Sequence, residues 1–253
     1  NIREFNGYID ELRVSKGVAR YNVDFTPATA PFSDPVITLS EKFADKTTLL
    51  MHMNGSNGST TFTDSSPNQV AITAVGSAQI STAQSKFGGS SLLLNGTTDH
   101  LTLASGAAFA LGATSFTIEM WVRLTSIPSS FYFIDARNAS QTGTWALLYT
   151  SGSLDWYNAS AETLRTWTPV VNTWYHVAIV RMYNTCQFFV DGVPIGTPFT
   201  DTANYTVSPT TSYLGCRYSL DSRFPGYIDE LRVTTAPRYP EPFIIPTSAH
   251  PIP

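Results

Sequence analysis

Carboxylate side chains are the first candidates for chemistry in this sequence. Hydrolysis of a glycosidic bond needs two carboxyl groups that flank the bond, about 5 Å apart in retaining enzymes. In the strand-like run at residues 115–123, the side chains predicted on one face are Thr117, Glu119, Trp121 and Arg123. Only one of them is a carboxylate, and the adjacent acids Asp229 and Glu230 are expected to point to opposite faces of their strand. The sequence therefore predicts no catalytic residues.

Aromatic rings and hydrogen-bonding side chains concentrate in residues 131–167. A sugar-binding surface needs flat aromatic faces with polar groups beside them, and this segment supplies both. Its aromatic residues include Tyr132, Trp145, Tyr149, Trp156, Tyr157 and Trp167. Several of them alternate as the core residues of strands do, so we expect at least half to be buried. The predicted ligand-binding residues are Arg137, Asn138, Trp156 and Tyr157, of which Arg137 and Tyr157 are expected to be exposed.

The histidines and cysteines do not indicate a catalytic or zinc site. The four histidines are scattered, and no GxSxG turn presents a serine nucleophile. His52 and His176 lie in apolar strands, where we expect histidines that are hydrogen-bonded within the core. Cys186 and Cys216 lie on separate strand-like segments without a CxxC motif. They are either joined in a disulfide or, as we favour, two free and half-buried thiols.

The elements that position these residues are predicted to be β-strands. Apolar and polar residues alternate with a period of two in segments bounded by turn residues, and no stretch keeps a helical period over a dozen residues. In residues 115–123 this alternation predicts Phe116, Ile118 and Met120 in the core and Glu119 accessible on the other face. Many strands with so few helices favour an all-β, two-sheet antiparallel sandwich.

One predicted hairpin differs from the other strands in its pattern. Residues 174–181 and residues 186–190 flank a short turn, and both arms are apolar on both faces. A strand of this kind lies inside a sheet that is covered on each side. We therefore expect this hairpin to lie in the middle of its sheet, covered on each side.

One strand occurs twice in the sequence. Residues 5–14 and residues 224–233 differ at a single position. Because each copy is typical of the closing strand of a domain, the sequence indicates an excerpt from a repeat array. We predict that residues 1–34 are the closing strand and linker of an upstream repeat. Residues 35–253 are then one complete domain with a proline-rich linker at its C-terminal end.

The composition is that of a globular protein that binds neither nucleic acid nor membranes. Of the 253 residues, 42% are hydrophobic and only 13% are charged, so the chain can bury a full-sized core. The net charge of -4, with few lysines and scattered arginines, gives no basic patch for nucleic acid or anionic lipid. No apolar run approaches the roughly 18 residues that a membrane span requires.

An ordered series of short motifs resembles a known family. The motifs are LLMHMNG at 49–55, FTDSS at 62–66, SKFGGSSL at 85–92, SFTIEMWV at 115–122, WYHVA at 174–178, FVDG at 189–192 and GYIDELRV at 226–233. Over about residues 40–245 they resemble a concanavalin A-like (laminin G-like) jelly-roll domain, of the kind repeated in phage tail and virion proteins and in secreted bacterial proteins. The resemblance implies a two-sheet sandwich in which residues 49–53 lie beside residues 226–233. It does not imply one function, because this fold serves lectins, adhesion modules and glycosidases.

The resemblance also implies a calcium site. Laminin G-like sandwiches often bind one Ca²⁺ at the rim of the sheets through carboxylate and carbonyl oxygens of loops. If the first and last strands are neighbours, Asn54, Asp64 and Asp229 converge, and these are the predicted metal ligands. The alternative is that Asp64 forms an Asx-turn with Ser66 and that Asp229 pairs with an arginine.

These observations predict a non-catalytic tandem-repeat module, extracellular or on a virion surface, that presents a binding face for a glycan or another host-surface polymer. Two alternatives belong to other classes. One is a purely structural repeat of a phage tail fibre, capsid decoration or extracellular filament, and the other is an accessory binding domain of a secreted hydrolase. Residues 1–14 lack the other strands of their own repeat, so we expect them to pair with a neighbouring copy of the chain.

Overall fold

The computed structural model describes residues 43–104, 107–137, 144–158, 162–206, 210–239 and 241–253. In these ranges the chain forms fifteen strands and two short 3-10 helices. The 3-10 helices are Ala44–Lys46 and Ala107–Phe109. The strands are β1 (Thr47–Met51), β2 (Ile72–Val75), β3 (Gln79–Ser81), β4 (Ser91–Asn95), β5 (His100–Ala104), β6 (Phe116–Leu124), β7 (Ser130–Ala136), β8 (Trp145–Thr150), β9 (Ser153–Tyr157), β10 (Glu162–Thr166), β11 (Trp174–Met182), β12 (Thr185–Val190), β13 (Val193–Thr200), β14 (Thr211–Leu214) and β15 (Pro225–Thr234).

The strands form two antiparallel sheets that pack face to face. Sheet A has the order β13-β12-β11-β6-β15-β4-β3, and β1 pairs with β15. Sheet B has the order β10-β9-β8-β7-β14-β5-β2. Apolar residues from the facing sides of both sheets, such as Ile118 of β6 and Phe133 of β7, form one continuous core. The prediction of an all-β, two-sheet antiparallel sandwich is confirmed.

The first and last strands of the domain are neighbours. Leu49 pairs with Val233, and Met51 pairs with Leu231. This pairing confirms the prediction that residues 49–53 lie beside residues 226–233. It leaves β15 hydrogen-bonded on both sides, so the repeated strand is an interior strand of sheet A.

Strand β6 has the predicted alternation, but the exposure of its outer face differs from the prediction. Phe116, Ile118 and Met120 are fully buried between the sheets, as expected. Glu119 lies on the opposite face, and it too is fully buried. The expectation of an accessible Glu119 was wrong because the C-terminal segment crosses this face and the Tyr239 hydroxyl donates a hydrogen bond to Glu119 Oε2 at 2.7 Å.

The predicted hairpin consists of β11 and β12, and it lies inside sheet A between β6 and β13. On its outer face Ala178, Val180 and Phe189 pack against Tyr239, with Phe243 adjoining them. The rings of Tyr239 and Phe243 are stacked with centroids 3.6 Å apart. The apolar pattern on both faces of the hairpin is thus explained by a cover that the C-terminal segment supplies.

A β-bulge in β15 changes the direction of one acidic side chain. Asp229 pairs with Trp121 and Arg232 pairs with Glu119, so two residues of β15 oppose one residue of β6. Glu230 has the left-handed φ of 50°. Ile228 and Leu231 both face the core, which puts Asp229 and Glu230 on the same, outer face. The expectation that these two carboxylates point to opposite faces was therefore wrong.

Part of the predicted domain division lies outside the described residues. This applies to the upstream strand at residues 5–14 and to the linker that follows it, so the division into an upstream tail and a complete domain stays a prediction. At the other end, residues 241–253 are described, and the backbone N–H of His250 donates to Glu230 Oε2 at 2.8 Å. In the described ranges, no helix is long and apolar enough to cross a membrane.

Candidate functional site

A charged pair lies at the end of β7, on the outer face of sheet B. Phe133 and Ile134 of β7 both face the core at a local irregularity in the pairing with β8, and Asp135 then points outward. Arg137 Nε donates to Asp135 Oδ1 at 2.8 Å, and Arg137 Nη2 donates to Asp135 Oδ2 at 2.7 Å. Two parallel charge-assisted hydrogen bonds of this kind hold the guanidinium plane in one orientation.

Three tyrosine rings surround this guanidinium. Its central carbon lies 4.3 Å from the ring centroid of Tyr157, 5.1 Å from that of Tyr132 and 5.4 Å from that of Tyr218. These distances are in the range of cation–π contacts. Tyr132 is buried, whereas Tyr157 and Tyr218 are half-buried and reach the surface. We call Asp135, Arg137, Tyr132, Tyr157 and Tyr218 the Arg137 tyrosine cluster.

The electrostatics of the cluster keep the guanidinium charged. Burial alone would lower the pKa of Arg137, but the hydrogen bonds and charge of Asp135 outweigh it and raise that pKa above its ordinary value. Burial also raises the pKa of the Tyr132 hydroxyl. At neutral pH the Arg137 guanidinium is therefore charged and the Tyr132 phenol is neutral. The aromatic rings and hydroxyl groups of the cluster can contact a ligand.

Arg137 was expected to be exposed, and this was wrong. The side chain is only 2% exposed because the three tyrosine rings and Asp135 enclose it. Its guanidinium packs against the rings of Tyr157 and Tyr218, which are half-buried. Tyr157, which was also expected to be exposed, is half-buried, and Asn138 lies outside the described residues.

Trp156 does not fit the predicted role of a ligand contact. Its ring is fully buried in the core, stacked on Trp145 with centroids 5.4 Å apart. The indole Nε1 donates to Asp201 Oδ2 and to the Tyr205 hydroxyl, both at 3.0 Å. Trp156 therefore stabilises the sandwich. The broader expectation that at least half of the aromatic residues in this segment are buried is confirmed, since all six except Tyr157 are buried.

The comparison with known families confirms the resemblance on which the fold was predicted. A model of the concanavalin A-like lectin/glucanases superfamily matches residues 95–241, more than half of the chain. The chain belongs to this superfamily. No curated protein sequence matches this chain.

Several solved structures share the fold of this concanavalin A-like chain. The binding domain of botulinum neurotoxin serotype G is 12% identical, with a TM-score of 0.58 over 76% of this chain and 48% of that chain. The binding domain of botulinum neurotoxin serotype D is 13% identical, with a TM-score of 0.59 over 78% of this chain and 50% of that chain. The binding domain of Paraclostridial Mosquitocidal Protein 1 is 13% identical, with a TM-score of 0.58 over 77% of this chain and 50% of that chain. The chain thus spans about half the length of these binding domains, and at such low identity the likeness shows the fold alone.

The laminin G-like resemblance also implied a calcium site, and Asp64 does not fit it. Asp64 Oδ1 accepts the backbone N–H groups of Leu50 at 2.9 Å and Ser66 at 2.8 Å. Asp64 Oδ2 accepts the Ser66 hydroxyl at 2.8 Å and the Val70 N–H at 2.9 Å. The alternative of an Asx-turn with Ser66 is therefore confirmed, and both oxygens of this carboxylate are used within the fold.

The other two predicted calcium ligands have different surroundings. Among the described residues Asp229 forms no ion pair with an arginine, and its Oδ2 accepts the backbone N–H groups of Lys86 at 2.7 Å and Phe87 at 3.1 Å. Burial raises the pKa of Asp229 to about 7. Asn54 is exposed. In the part of the chain that the structure describes, no three His, Cys, Asp or Glu side chains are grouped to hold a metal ion, and calcium binding stays a prediction.

The sequence did not reveal a buried ionic cluster on the outer face of sheet A. Glu119 accepts hydrogen bonds from Arg232 Nε at 2.8 Å and from Tyr239, and His176 Nε2 lies 3.1 Å away. Burial by itself would raise the pKa of Glu119, but the charge of Arg232 and the hydrogen bond from His176 hold it well below its usual range. The sequence around Tyr239 does not indicate that this residue packs on the outer face of sheet A. The only related signal is the β11–β12 hairpin, which is apolar on both faces.

The remaining histidine and cysteine predictions can be compared directly. His52 Nδ1 lies 2.9 Å from Glu230 Oε1, and His176 is bonded to Glu119, so both histidines are hydrogen-bonded as expected. Cys186 and Cys216 are free thiols, as favoured, but they are fully rather than half buried. Burial raises the pKa of Cys216 to about 12, so this thiol stays protonated at neutral pH.

Proposed function

We propose that this chain is a non-catalytic binding module, exposed outside a cell or on a virion, that binds a glycan of a host surface through the Arg137 tyrosine cluster. Proteins of similar fold support a binding role. Botulinum neurotoxin type C, whose binding domain is 12% identical, depends on interaction with two ganglioside molecules for cell entry. That property belongs to the toxin, and its extension to this chain is the proposal.

The observation that carries the proposal is the arrangement of Tyr157 and Tyr218 around Arg137. Sugars bind proteins by stacking their C–H faces on aromatic rings and by hydrogen bonds to nearby polar groups. A ring that is already held in place loses little conformational entropy when a ligand binds. The guanidinium, held by Asp135, lies against both rings, and each ring is half-buried, which favours rings that are already in place when a ligand binds.

A panel of immobilised glycans tests the proposal with matched variants. We expect wild-type protein to bind at least one glycan and Tyr157→Ala to weaken that binding by about tenfold or more, which corresponds to about 1.4 kcal/mol. Tyr183→Ala is the control, because Tyr183 is a 79% exposed tyrosine on the β11–β12 turn. Binding that Tyr157→Ala and Tyr183→Ala reduce equally, or an absence of binding to every glycan, would contradict the proposal.

A second function, assembly as a structural repeat, is favoured by one observation. Residues 5–14 repeat nine of the ten residues of the interior strand at 224–233, and an interior strand needs partners on both sides. We propose that residues 1–14 pair with a neighbouring copy. Sedimentation of the full chain tests this, with Ile9→Lys and Leu12→Lys introduced together. Assemblies that this double variant dissociates support it, and a concentration-independent monomer in the wild type excludes it.

A further inference from the structure

A cavity of about 120 Å³ lies where the chain leaves β1. Its polar lining consists of His52, Asn54, Thr63 and Ser65, and its apolar walls include Phe62 and Ile80. These residues belong to the end of β1, the loop that follows it, and β3 of sheet A. The cavity is therefore distinct from the Arg137 tyrosine cluster, which is built on sheet B.

A buried carboxylate orients the histidine of this cavity. His52 Nδ1 lies 2.9 Å and 3.1 Å from the two carboxylate oxygens of Glu230, whose side chain is fully buried. An ionised carboxylate can only accept hydrogen bonds, so Nδ1 carries the proton, and in the neutral ring Nε2 is left as an acceptor. Because 14% of the His52 side chain is exposed, this ring can be reached from the cavity.

The backbone on both sides of this contact adopts an unusual conformation. Met53, next to His52, has φ of 57°, and Glu230 has φ of 50° in the bulge of β15. Residues other than glycine rarely occupy the left-handed region, and such residues cluster at functional sites. Two strained backbone positions, Met53 and Glu230, thus adjoin the contact between His52 and Glu230.

The side chain of Asn54 lies close to Gly88. Gly88 has φ of 63°, and a Cβ atom at this position would overlap the side-chain oxygen of Asn54. Gly88 thus keeps room for Asn54 at the rim of the cavity. Gly89, with φ of 82°, has the same left-handed backbone, but a Cβ there would meet nothing within 4 Å. The two glycines form a natural pair of positions for comparison.

We propose that this cavity binds the hydroxymethyl or diol end of a single sugar residue. In this arrangement His52 Nε2 accepts a hydrogen bond from one hydroxyl group, and the Asn54 amide donates a hydrogen bond to a second oxygen. The cavity is smaller than the 300 Å³ or more typical of drug-sized ligands, so it takes one arm of a sugar. Hydroxyl groups fit the mixed donor and acceptor lining, and the apolar walls fit the adjoining C–H groups. This proposal is independent of the proposed function at Tyr157.

The test is an NMR titration of the full chain with glycerol, D-glucose and D-galactose. Each compound is added to about 100 mM, which saturates a site of millimolar affinity. We expect saturable shifts in the imidazole nitrogens of His52 with at least one compound, while the buried His100, His176 and His250 act as internal references. The 6-deoxy analogue of that sugar, which lacks the hydroxymethyl oxygen, should shift His52 less at the same concentration.

Two variants locate the binding. Gly88→Ala displaces Asn54 and should abolish the saturable shift, whereas Gly89→Ala adds the same backbone strain and should retain it. If Gly88→Ala does not fold, Asn54→Leu in the wild-type background is tested instead, and it too should abolish the saturable shift of His52. Three outcomes would each overturn the proposal. His52 could show no shift with any of the three compounds, or the two alanine variants could respond equally. The third outcome is that Zn²⁺ saturates the His52 signal while the sugars have no effect. A loss of glycan binding in Tyr157→Ala leaves this result unchanged, so the two proposals fail separately.

Discussion

The guanidinium carbon of Arg137 lies 4.3 Å from the centre of the Tyr157 ring. Arg137 is enclosed, whereas Tyr157 is half-buried and reaches the surface. The stability of the fold and the shape of the proposed binding surface consequently depend on the same buried ion pair. A change in Asp135, which no ligand is expected to touch, should therefore alter both.

Removal of Asp135 should be strongly destabilising. In Asp135→Ala the Arg137 guanidinium stays in a low-dielectric site without its carboxylate, and breaking a buried ion pair costs about 3 to 5 kcal/mol. Urea denaturation measures the loss. Asp45→Ala is the control, because the Asp45–Lys46 pair is exposed and such pairs contribute about 1 kcal/mol or less. Equal losses in the two variants would show that the Asp135–Arg137 pair is not buried.

Phe116 tests the assignment of the faces of β6. Its ring packs against Trp156 with centroids 5.3 Å apart and against Tyr205 at 6.1 Å. Phe116→Ala should lower the free energy of unfolding by about 3 to 5 kcal/mol through the cavity it leaves. Val170→Ala, at a position that is 61% exposed, should change it little. An unchanged thermal midpoint for Phe116→Ala would mean that the face was assigned backwards.

Strand prediction succeeded where the information is local, and this explains the result at Phe116. The period of two in residues 115–123 gives the two faces of β6, and the repeated strand gives the closing partner of β1. Glu119 could not be assigned in the same way, because its exposure depends on Tyr239 more than a hundred residues later. A polar residue on an outer face is exposed only if no other segment covers that face.

The candidate site was predicted in part for a similar reason. Trp156 and Tyr157 are neighbours in β9, so alternation allows only one of them to face outward, and composition alone does not say which. Tyr218 lies outside the aromatic-rich segment, and it joins the site because its backbone N–H donates to Asp135 Oδ2 at 3.1 Å. Such a contact between a strand and a loop 83 residues later has no signature in a single sequence.

Acid should loosen the C-terminal cover through His250. Burial lowers the pKa of His250 to about 3, below its ordinary value of 6.5. Above pH 6.5 the ring is neutral in both the folded and the unfolded chain, so it adds no pH dependence. As the pH falls below 6.5, only the unfolded chain takes up the proton, and stability is lost progressively until about pH 3.

Thermal midpoints at several pH values measure this effect. Between pH 7 and pH 5 the contribution of His250 should fall by about 2 kcal/mol, since one pKa unit corresponds to about 1.4 kcal/mol. His250→Gln should have a flatter profile over the same range, and the comparison removes the contributions of other groups. Parallel profiles for the two proteins would contradict the burial of a neutral His250.

Calcium binding is tested by a thermal scan in millimolar Ca²⁺ and in chelator. If the ion binds near Asp229, calcium should raise the midpoint by mass action, and Asp229→Ala should abolish the increase. Asn54→Ala should reduce the increase, because Asn54 is the other predicted ligand. Asp64 is left out of the test because both of its carboxylate oxygens accept hydrogen bonds within the fold. Identical scans with calcium and with chelator would remove the site from consideration.

Calorimetric titration with the glycan that binds best in the panel tests the central claim most directly. If the ring of Tyr157 is the binding surface, Tyr157→Trp should keep the affinity within a few-fold, because it keeps a flat aromatic face, and Tyr157→Ala should lose about tenfold or more. Unchanged affinity in Tyr157→Ala, in a variant that remains folded, would contradict the account.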